Sequence, residues 1–255
     1  MARGGKKFEI DGQLSFDFCL DTNNYVCQAN ALVGGRQALK LNSAKLIRSA
    51  IMQVVKEDAE LKPYIITIQE LASLLGVTEA NLYRDIEDIT DDIIKNPVYI
   101  QERTIKKERW IKIPWVSRCE YRSDYGVAIK LNDELKPFLL NLKKQYTQYT
   151  LDSVLSMKSV YSIRLYELLQ SKIMVQMLPQ QGVDIEMDIQ DIKESCDCNA
   201  KSYDVFANFR RRVIDVAVKE INEKTIYRIS YTCVKDGRSV KSILFHLNTY
   251  YHLDE

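Results

Sequence analysis

Apolar positions in the first half of the chain change period several times, and each change marks an element. Ala44, Ile47, Ile51, Val54 and Val55 recur at helical spacing, with Asn42 or Ser43 placed to cap the helix. Tyr64 to Ile68 predicts a short strand, Gln69 to Leu75 a short helix stopped by Gly76, and Val77-Thr78 a longer helix running to about Lys95. Asn96-Pro97 ends that helix, because proline cannot continue it and disfavours helix in the residue before. Val98 to Arg103, Trp110 to about Arg122 and Val127 to Leu131 are rich in β-branched and aromatic residues and predict strands. Residues 1–38 carry few periodic apolar stretches and read as loosely ordered, with the poorly ordered leader proper placed at 1–24.

The second half repeats the order. Ser159 or Val160 to about Met174 predicts a helix, Val183 to Met187 a strand, Ile189 to Cys196 a short helix and Tyr203 to about Glu223 a longer one. Tyr227 to Val234 and Val240 to Leu247 predict a hairpin turning at Lys235-Asp236-Gly237-Arg238. At the strand-to-helix step, Thr67 to Leu71 (TIQEL) matches Asp188 to Ile192 (DIQDI). Helix, strand, helix, helix and hairpin is the winged-helix plan, a helix-turn-helix with a strand wing. The expected class is therefore α+β, with two tandem winged-helix domains at 25–146 and 147–255. Small domains of this order also serve as protein-contact modules, so the plan alone does not give a function.

Charge separates the halves. The whole chain carries a formal net charge of only +1, but residues 201–245 hold ten Lys/Arg against five acids. A local basic excess is the footprint expected where phosphates are met. In the helix Tyr203 to Thr225, a step of 100° per residue gathers Phe206, Phe209, Val213, Val216 and Ala217 on one arc facing the core. Asn208, Arg211 and Asp215 fall opposite, Arg212 on one shoulder and Arg210 on the other, nearer the apolar seam. A guanidinium pairs with guanine O6 and N7 together, an Asn amide with adenine N6 and N7, and flanking cations hold phosphates. The plain alternative is a solvated face with Arg211 and Asp215 as an i,i+4 pair. Three arginines in the first half of a helix oppose the macrodipole, which favours a ligand over that alternative. The expected DNA contacts here are Lys201, Ser202, Asn208, Arg210, Arg211, Arg212 and Lys219, with Lys235, Arg238 and Lys241 on the hairpin.

The equivalent helix of the first half, Glu79 to Lys95, has six acids against two basic residues, and its groove-facing candidates include Asp85, Asp88 and Asp92. Such a helix is repelled by phosphates. The cations of this half lie between Arg103 and Arg122, so Arg103, Lys106, Lys107 and Arg109 are expected to touch the DNA backbone from the wing.

No catalytic set emerges. The chain has no G-x-x-x-x-G-K-[ST] loop, and Val33-Gly-Gly-Arg36 lacks the lysine and the spacing. Its two histidines, His246 and His252, do not form the metal pair that a rolling-circle nicking tyrosine needs. The six cysteines show no disulfide-scaffold spacing, and Cys196-Asp197-Cys198 lacks a second pair for zinc. No enzyme activity, metal or cofactor is expected. The charged stretch Met1 to Glu9 lacks the apolar core of a signal peptide, and no apolar run approaches the ~18–20 residues that span a bilayer, so a cytoplasmic protein without membrane contact is expected.

Phe209 to Thr225, followed by Ile229-Ser-Tyr231 and Lys235 to Arg238, resembles the iteron-binding plasmid replication initiators of the Rep_3 type. Ser159 to Leu169 is similar to the first helix of that family's second domain, and Asn30-Ala-Leu32 and Leu39-Lys-Leu41 to its N-terminal approach. The resemblance covers about residues 25–248. It implies two winged helices, the second binding double-stranded direct repeats (iterons) of a plasmid origin. It also implies monomers that open the origin, dimers joined through the first domain that repress the initiator's own promoter, and host helicase and initiator proteins as partners. A winged-helix transcriptional repressor without an origin role is the alternative. Tandem direct repeats beside an AT-rich stretch near the gene favour initiation, and a single palindrome favours repression.

Overall fold

The computed structural model describes residues 21–55, 58–103, 108–173 and 182–249, with the backbone of 9–10, 13–14 and 16–17. Three two-residue strands, β1 (Glu9–Ile10), β2 (Gln13–Leu14) and β3 (Phe16–Asp17), precede β4 (Tyr25–Ala29) and the short helix α1 (Asn30–Gly34). The first winged helix follows as α2 (Leu41–Met52), β5 (Pro63–Ile66), α3 (Ile68–Leu75) and α4 (Glu79–Lys95). Two hairpins complete it, β6 (Val98–Arg103) with β7 (Glu108–Ile113) and β8 (Val116–Arg122) with β9 (Gly126–Leu131). The turn α5 (Lys136–Leu139), β10 (Tyr146–Thr150) and α6 (Asp152–Leu155) lead to α7 (Val160–Lys172), β11 (Val183–Asp188) and α8 (Ile189–Ser195). The next helix has three parts: α9 (Phe206–Phe209), a π-helical turn (Arg210–Ile214) and α10 (Asp215–Lys224). The hairpin β12 (Tyr227–Asp236) and β13 (Ser239–Thr249) ends the described chain.

The repeated element order is matched by a repeated strand order. In the first half β5 pairs antiparallel with β9, and β9 with β8; in the second, β11 pairs antiparallel with β13, and β13 with β12. Each strand between the first and second helices thus joins the last strand of its own wing. The single strand expected from Trp110 to about Arg122 breaks at Pro114, which cannot donate to a ladder, and its first part pairs instead with β6. The hairpin β6–β7 is therefore an insertion between the third helix and the wing.

Around α3 the expected stop at Gly76 is present, and a capping box that the sequence reading did not name opens the helix. Thr67 Oγ1 accepts the Glu70 N–H at 3.2 Å, the Glu70 carboxylate accepts the Thr67 N–H at 3.1 Å, and Gly76 closes the helix at φ 68°. At α2 the expected cap is corrected. Neither Asn42 nor Ser43 caps the helix; the residue before it is Lys40, whose backbone N–H donates to Asp92 Oδ2 on α4 at 2.8 Å. Asp92 is buried by that role, so it is not a groove-facing residue.

The reading of 1–38 as loosely ordered is also corrected. β4 pairs antiparallel with β10, from Tyr25 opposite Thr150 to Ala29 opposite Tyr146, and Val26 and Gln28 are wholly buried. Phe16 and Asp17 pair parallel with Tyr64 and Ile65, so part of the stretch 1–24 joins the sheet of β5. β1 and β2 pair antiparallel with each other, and residues 1–8, 11–12, 15 and 18–20 lie outside the described residues. Because β10 hydrogen-bonds to β4, the backbone pairing crosses the boundary expected between 146 and 147.

One buried cluster stitches the halves. Glu167 of α7 accepts hydrogen bonds from Arg48 Nε (3.0 Å) and Nη2 (2.8 Å), Arg164 Nη1 (2.6 Å), Gln28 Nε2 (3.0 Å) and the Tyr149 hydroxyl. Arg164 Nη2 donates onward to the carbonyls of Val33 (2.5 Å) and Gly35 (3.0 Å). Burial alone would raise the Glu167 pKa, but Arg48 and Arg164 outweigh it and hold the carboxyl down at about 2. Elements α2, β4, β10 and α7 thus meet on one carboxylate, and Arg164 ties α1 to it through the Val33 carbonyl.

Gly126 shows how closely the first wing approaches its sheet. Its φ is 106°, and a Cβ would stand 2.3 Å from the Ile66 carbonyl oxygen. Gly126→Ala is expected to cost about 3 kcal/mol, since both the backbone conformation and the β5–β9 spacing must give. A thermal melt reads this, and an unchanged midpoint would show that the turn is not held in this conformation.

Candidate nucleic-acid interface

The third helix of the second half packs through Phe209, Val213, Ile214, Ala217 and Ile221, all fully buried. Val216 and Phe206, expected on that arc, are only half-buried, and Ile214 joins the apolar seam instead. The reason is the π-helical turn, whose hydrogen bonds run i→i+5. It places Phe209 and Ile214 one wide turn apart on the same face and lets Arg210, Arg211 and Arg212 all face solvent between them. Arg210 is thus exposed rather than set against the apolar seam.

The same turn changes the ion pair. Asp215 lies 3.9 Å from Arg210 Nε through Oδ2, five residues apart, in place of the i,i+4 pairing with Arg211. Among the described residues neither Arg211 nor Arg212 has an ion-pair partner. Asn208 Nδ2 donates to the Ser202 carbonyl at 3.0 Å, which ties the helix start to the exposed turn carrying Lys201 and Ser202. Lys219, further along, is 3.9 Å from Glu223. Arg228, counted in the basic excess, is engaged structurally: its Nη1 donates to the Asn222 carbonyl at 2.7 Å at the end of α10.

The wing β12–β13 turns at Gly237-Arg238 with Gly237 at φ 60°, as a two-residue loop with glycine first requires. Lys235, Arg238 and Lys241 are exposed along it, beside the helix that carries the arginines. The third helix and the wing of the second half therefore both carry outward cations.

In the first half the expected cations divide between two hairpins. Arg103 lies on β6 opposite Glu108, Arg109 is exposed on β7, and Lys106 and Lys107 fall outside the described residues. On the wing proper, Arg118 pairs with Glu120 (Nη2 to Oε2 2.5 Å) and Arg122 with Asp124 (Nη2 to Oδ2 2.5 Å). Among the described residues of the inserted hairpin, Arg109 and Lys112 both lie on β7. There Trp110, 53% exposed, stacks on Tyr99 with centroids 5.8 Å apart. Lys112 Nζ lies 5.4 Å from the Trp110 ring and the Arg36 guanidinium 4.9 Å from the Tyr99 ring. Sequence reading passed over Arg36 and Trp110, because their neighbourhood forms only when α1 meets β6 through the bridge Arg36–Tyr99. A cleft of about 1020 Å³ separates this stack from Glu186, Asp188, Asp191 and Glu194 of the second half.

Helix α4 presents Glu79, Glu87 and Asp88 to solvent, while Arg84 and Lys95 are engaged by Asp85 (2.7 Å) and Asp91 (2.5 Å). Its outer face is anionic. Burial raises the thiol pKa of Cys196 to about 11 and that of Cys198 further, so both remain protonated near neutrality. Among the described residues no three metal-ligating side chains stand together, and no helix is long and apolar enough to cross a membrane.

The crystal structure of the Pi initiator protein in complex with iteron DNA superposes with a TM-score of 0.71 at 17% identity, covering 90% of this chain and 98% of that one. An Escherichia coli replication initiation protein is 23% identical over 226 residues, 87% of this chain and 69% of that protein. An uncharacterized 27.6 kDa protein of the same organism is 22% identical over 89% of this chain and 97% of its own length. The family model described as initiator replication protein, WH1, matches residues 25–170, and that described as initiator Rep protein, WH2, matches residues 188–247. With both winged helices matched in order across most of its length, the chain belongs to the plasmid replication initiator (Rep) protein family.

Proposed function

We propose that this chain initiates plasmid replication by binding repeated sites in origin duplex DNA, reading base edges with the third helix of its second winged helix. The observation that carries the proposal is the outward presentation of Arg210, Arg211 and Arg212 on a helix whose opposite face is packed. Lys201, Ser202, Asn208 and Lys219 flank that helix face, and Lys235, Arg238 and Lys241 follow the backbone from the wing. Arg103, Lys106, Lys107 and Arg109 add phosphate contacts from the inserted hairpin. The likeness to an initiator solved on iteron DNA supports duplex repeats as the ligand. The protein acts in the cytoplasm as a binding protein without a reaction of its own. Opening of the origin by monomers, repression of its own promoter by dimers joined through the first domain, and recruitment of host helicase and initiator proteins complete the reading.

The test is selection by the full chain from a pool of randomised duplexes, followed by binding at several salt concentrations. A recovered motif that recurs as direct repeats beside the gene supports the proposal. Recovery of no motif overturns it.

The hairpin makes a separate prediction. Replacing Lys106 and Lys107 with glutamine is expected to lower affinity alike on all sequences and to shallow the salt slope by about two phosphate contacts at most. An unchanged slope would show that the hairpin stays off the DNA.

A further inference from the structure

The π-helical turn of the recognition helix is fastened from outside by one carboxylate and one phenol. Asp215 stands one wide turn after Arg210, with Oδ2 3.9 Å from Arg210 Nε, while its Oδ1 accepts a hydrogen bond from the Tyr231 hydroxyl. Tyr231 belongs to β12, and its ring packs against the fully buried Phe245 with centroids 6.2 Å apart. A line of contacts therefore runs from the core, through Phe245, Tyr231 and Asp215, to an exposed guanidinium. In an ordinary α-helix Asp215 would lie beneath Arg211; the i→i+5 turn moves it beneath Arg210.

We propose that Asp215 and Tyr231 are positioning residues that hold Arg210 as the base-reading side chain, leaving Arg211 and Arg212 to meet phosphates. The inference rests on the reading of this helix as the DNA-recognition element. A long cationic side chain must lose rotamer freedom when it binds, and one already leaning on a fixed carboxylate loses less. Held in orientation, its fork can match guanine O6 and N7, whereas an unanchored cation attracts phosphate whatever the base. Arg210 and Asp215 are both about half exposed, so the pair contributes little to stability and acts through geometry. Burial and the Asp215 carboxylate push the Tyr231 phenol up, which keeps it a hydrogen-bond donor.

The experiment is the same randomised-duplex selection, run with the full-length wild type and with Arg210→Ala, Arg211→Ala, Tyr231→Phe, Asp215→Asn and the double variant Arg210→Ala/Asp215→Asn. Arg210→Ala is expected to flatten the preference at one base pair. Asp215→Asn and Tyr231→Phe should weaken the preference at that same base pair, by about tenfold for Asp215→Asn, the scale of one bidentate contact. The double variant should select the same motif as Arg210→Ala alone, and Arg211→Ala should lower affinity without changing the motif. If Asp215→Asn and Tyr231→Phe leave that base pair untouched, or weaken binding equally on every sequence, the positioning role is wrong while the recognition helix stands. If the wild type selects no motif, the recognition reading fails and this inference falls with it. Equal thermal midpoints across the set show that each variant is folded.

Discussion

Replacing Glu167 with alanine is expected to cost about 3–5 kcal/mol of folding stability, read as a shift of the urea unfolding midpoint. The substitution leaves Arg48 and Arg164, both buried, without the carboxylate that neutralises them. Such a loss is a large part of the roughly 5–15 kcal/mol that holds a domain together. Glu167→Gln keeps the shape and one acceptor, so it should fall between the two. The pH dependence has a definite sign. The folded-state pKa of Glu167 is depressed to about 2, so its stabilisation is present above the ordinary carboxylate range and fades as pH falls toward 2. The alanine variant should lose that part of the acid dependence. A loss below about 1 kcal/mol would show that the cluster relaxes or admits water, and that the halves are not joined through it.

Replacing Arg210, Arg211 and Arg212 together with glutamine is expected to weaken binding to the selected repeat by about two to four orders of magnitude, measured by titration at fixed salt. On the proposed assignment one base contact and two phosphate contacts would disappear together. Stability should move the other way or not at all, because three cations in the first half of a helix oppose its dipole. This opposition of effects separates an interface from a structural role. Repeat binding retained within about twofold, with an unchanged melting midpoint, would remove this helix from the interface.

Both experiments use the whole chain, for a reason visible in the fold. A cut near 146 would part β10 from β4 and Glu167 from Arg48, so a fragment beginning at Tyr149 would carry a buried carboxylate stripped of a partner. The family match for the first winged helix, which runs to residue 170 and so takes in most of α7 with Glu167, agrees with that sharing.

Much of this organisation is written locally. The capping box at Thr67, the stop at Gly76 and the break at Pro97 are decided by the residues at hand, and α3 and α4 lie within a residue or two of where periodicity puts them. The repeated order of helix, strand, helix, helix and hairpin follows from the same signals, as does the contrast between an acidic helix in one half and an arginine-bearing helix in the other. The hairpin tip at Gly237 is likewise local, since only the glycine's freedom is needed there.

Other features were settled by contacts between distant segments. Gln28, Arg48, Arg164 and Glu167 look solvent-facing in a hydropathy pattern, yet they are buried because Glu167 meets Gln28 and Arg48, and Arg164 meets the Val33 carbonyl, across more than a hundred residues each. β4 was invisible for the same reason: its partner is β10, and only Val26 among its inward positions is apolar. The outward turn of three arginines depends on Phe209 and Ile214 both reaching the core, which widens one turn of the helix and moves Asp215 from Arg211 to Arg210. Periodicity reports which residues prefer to avoid water within one element. Which polar groups can be buried, and how far a helix must unwind to fit, are set only when the partner elements arrive.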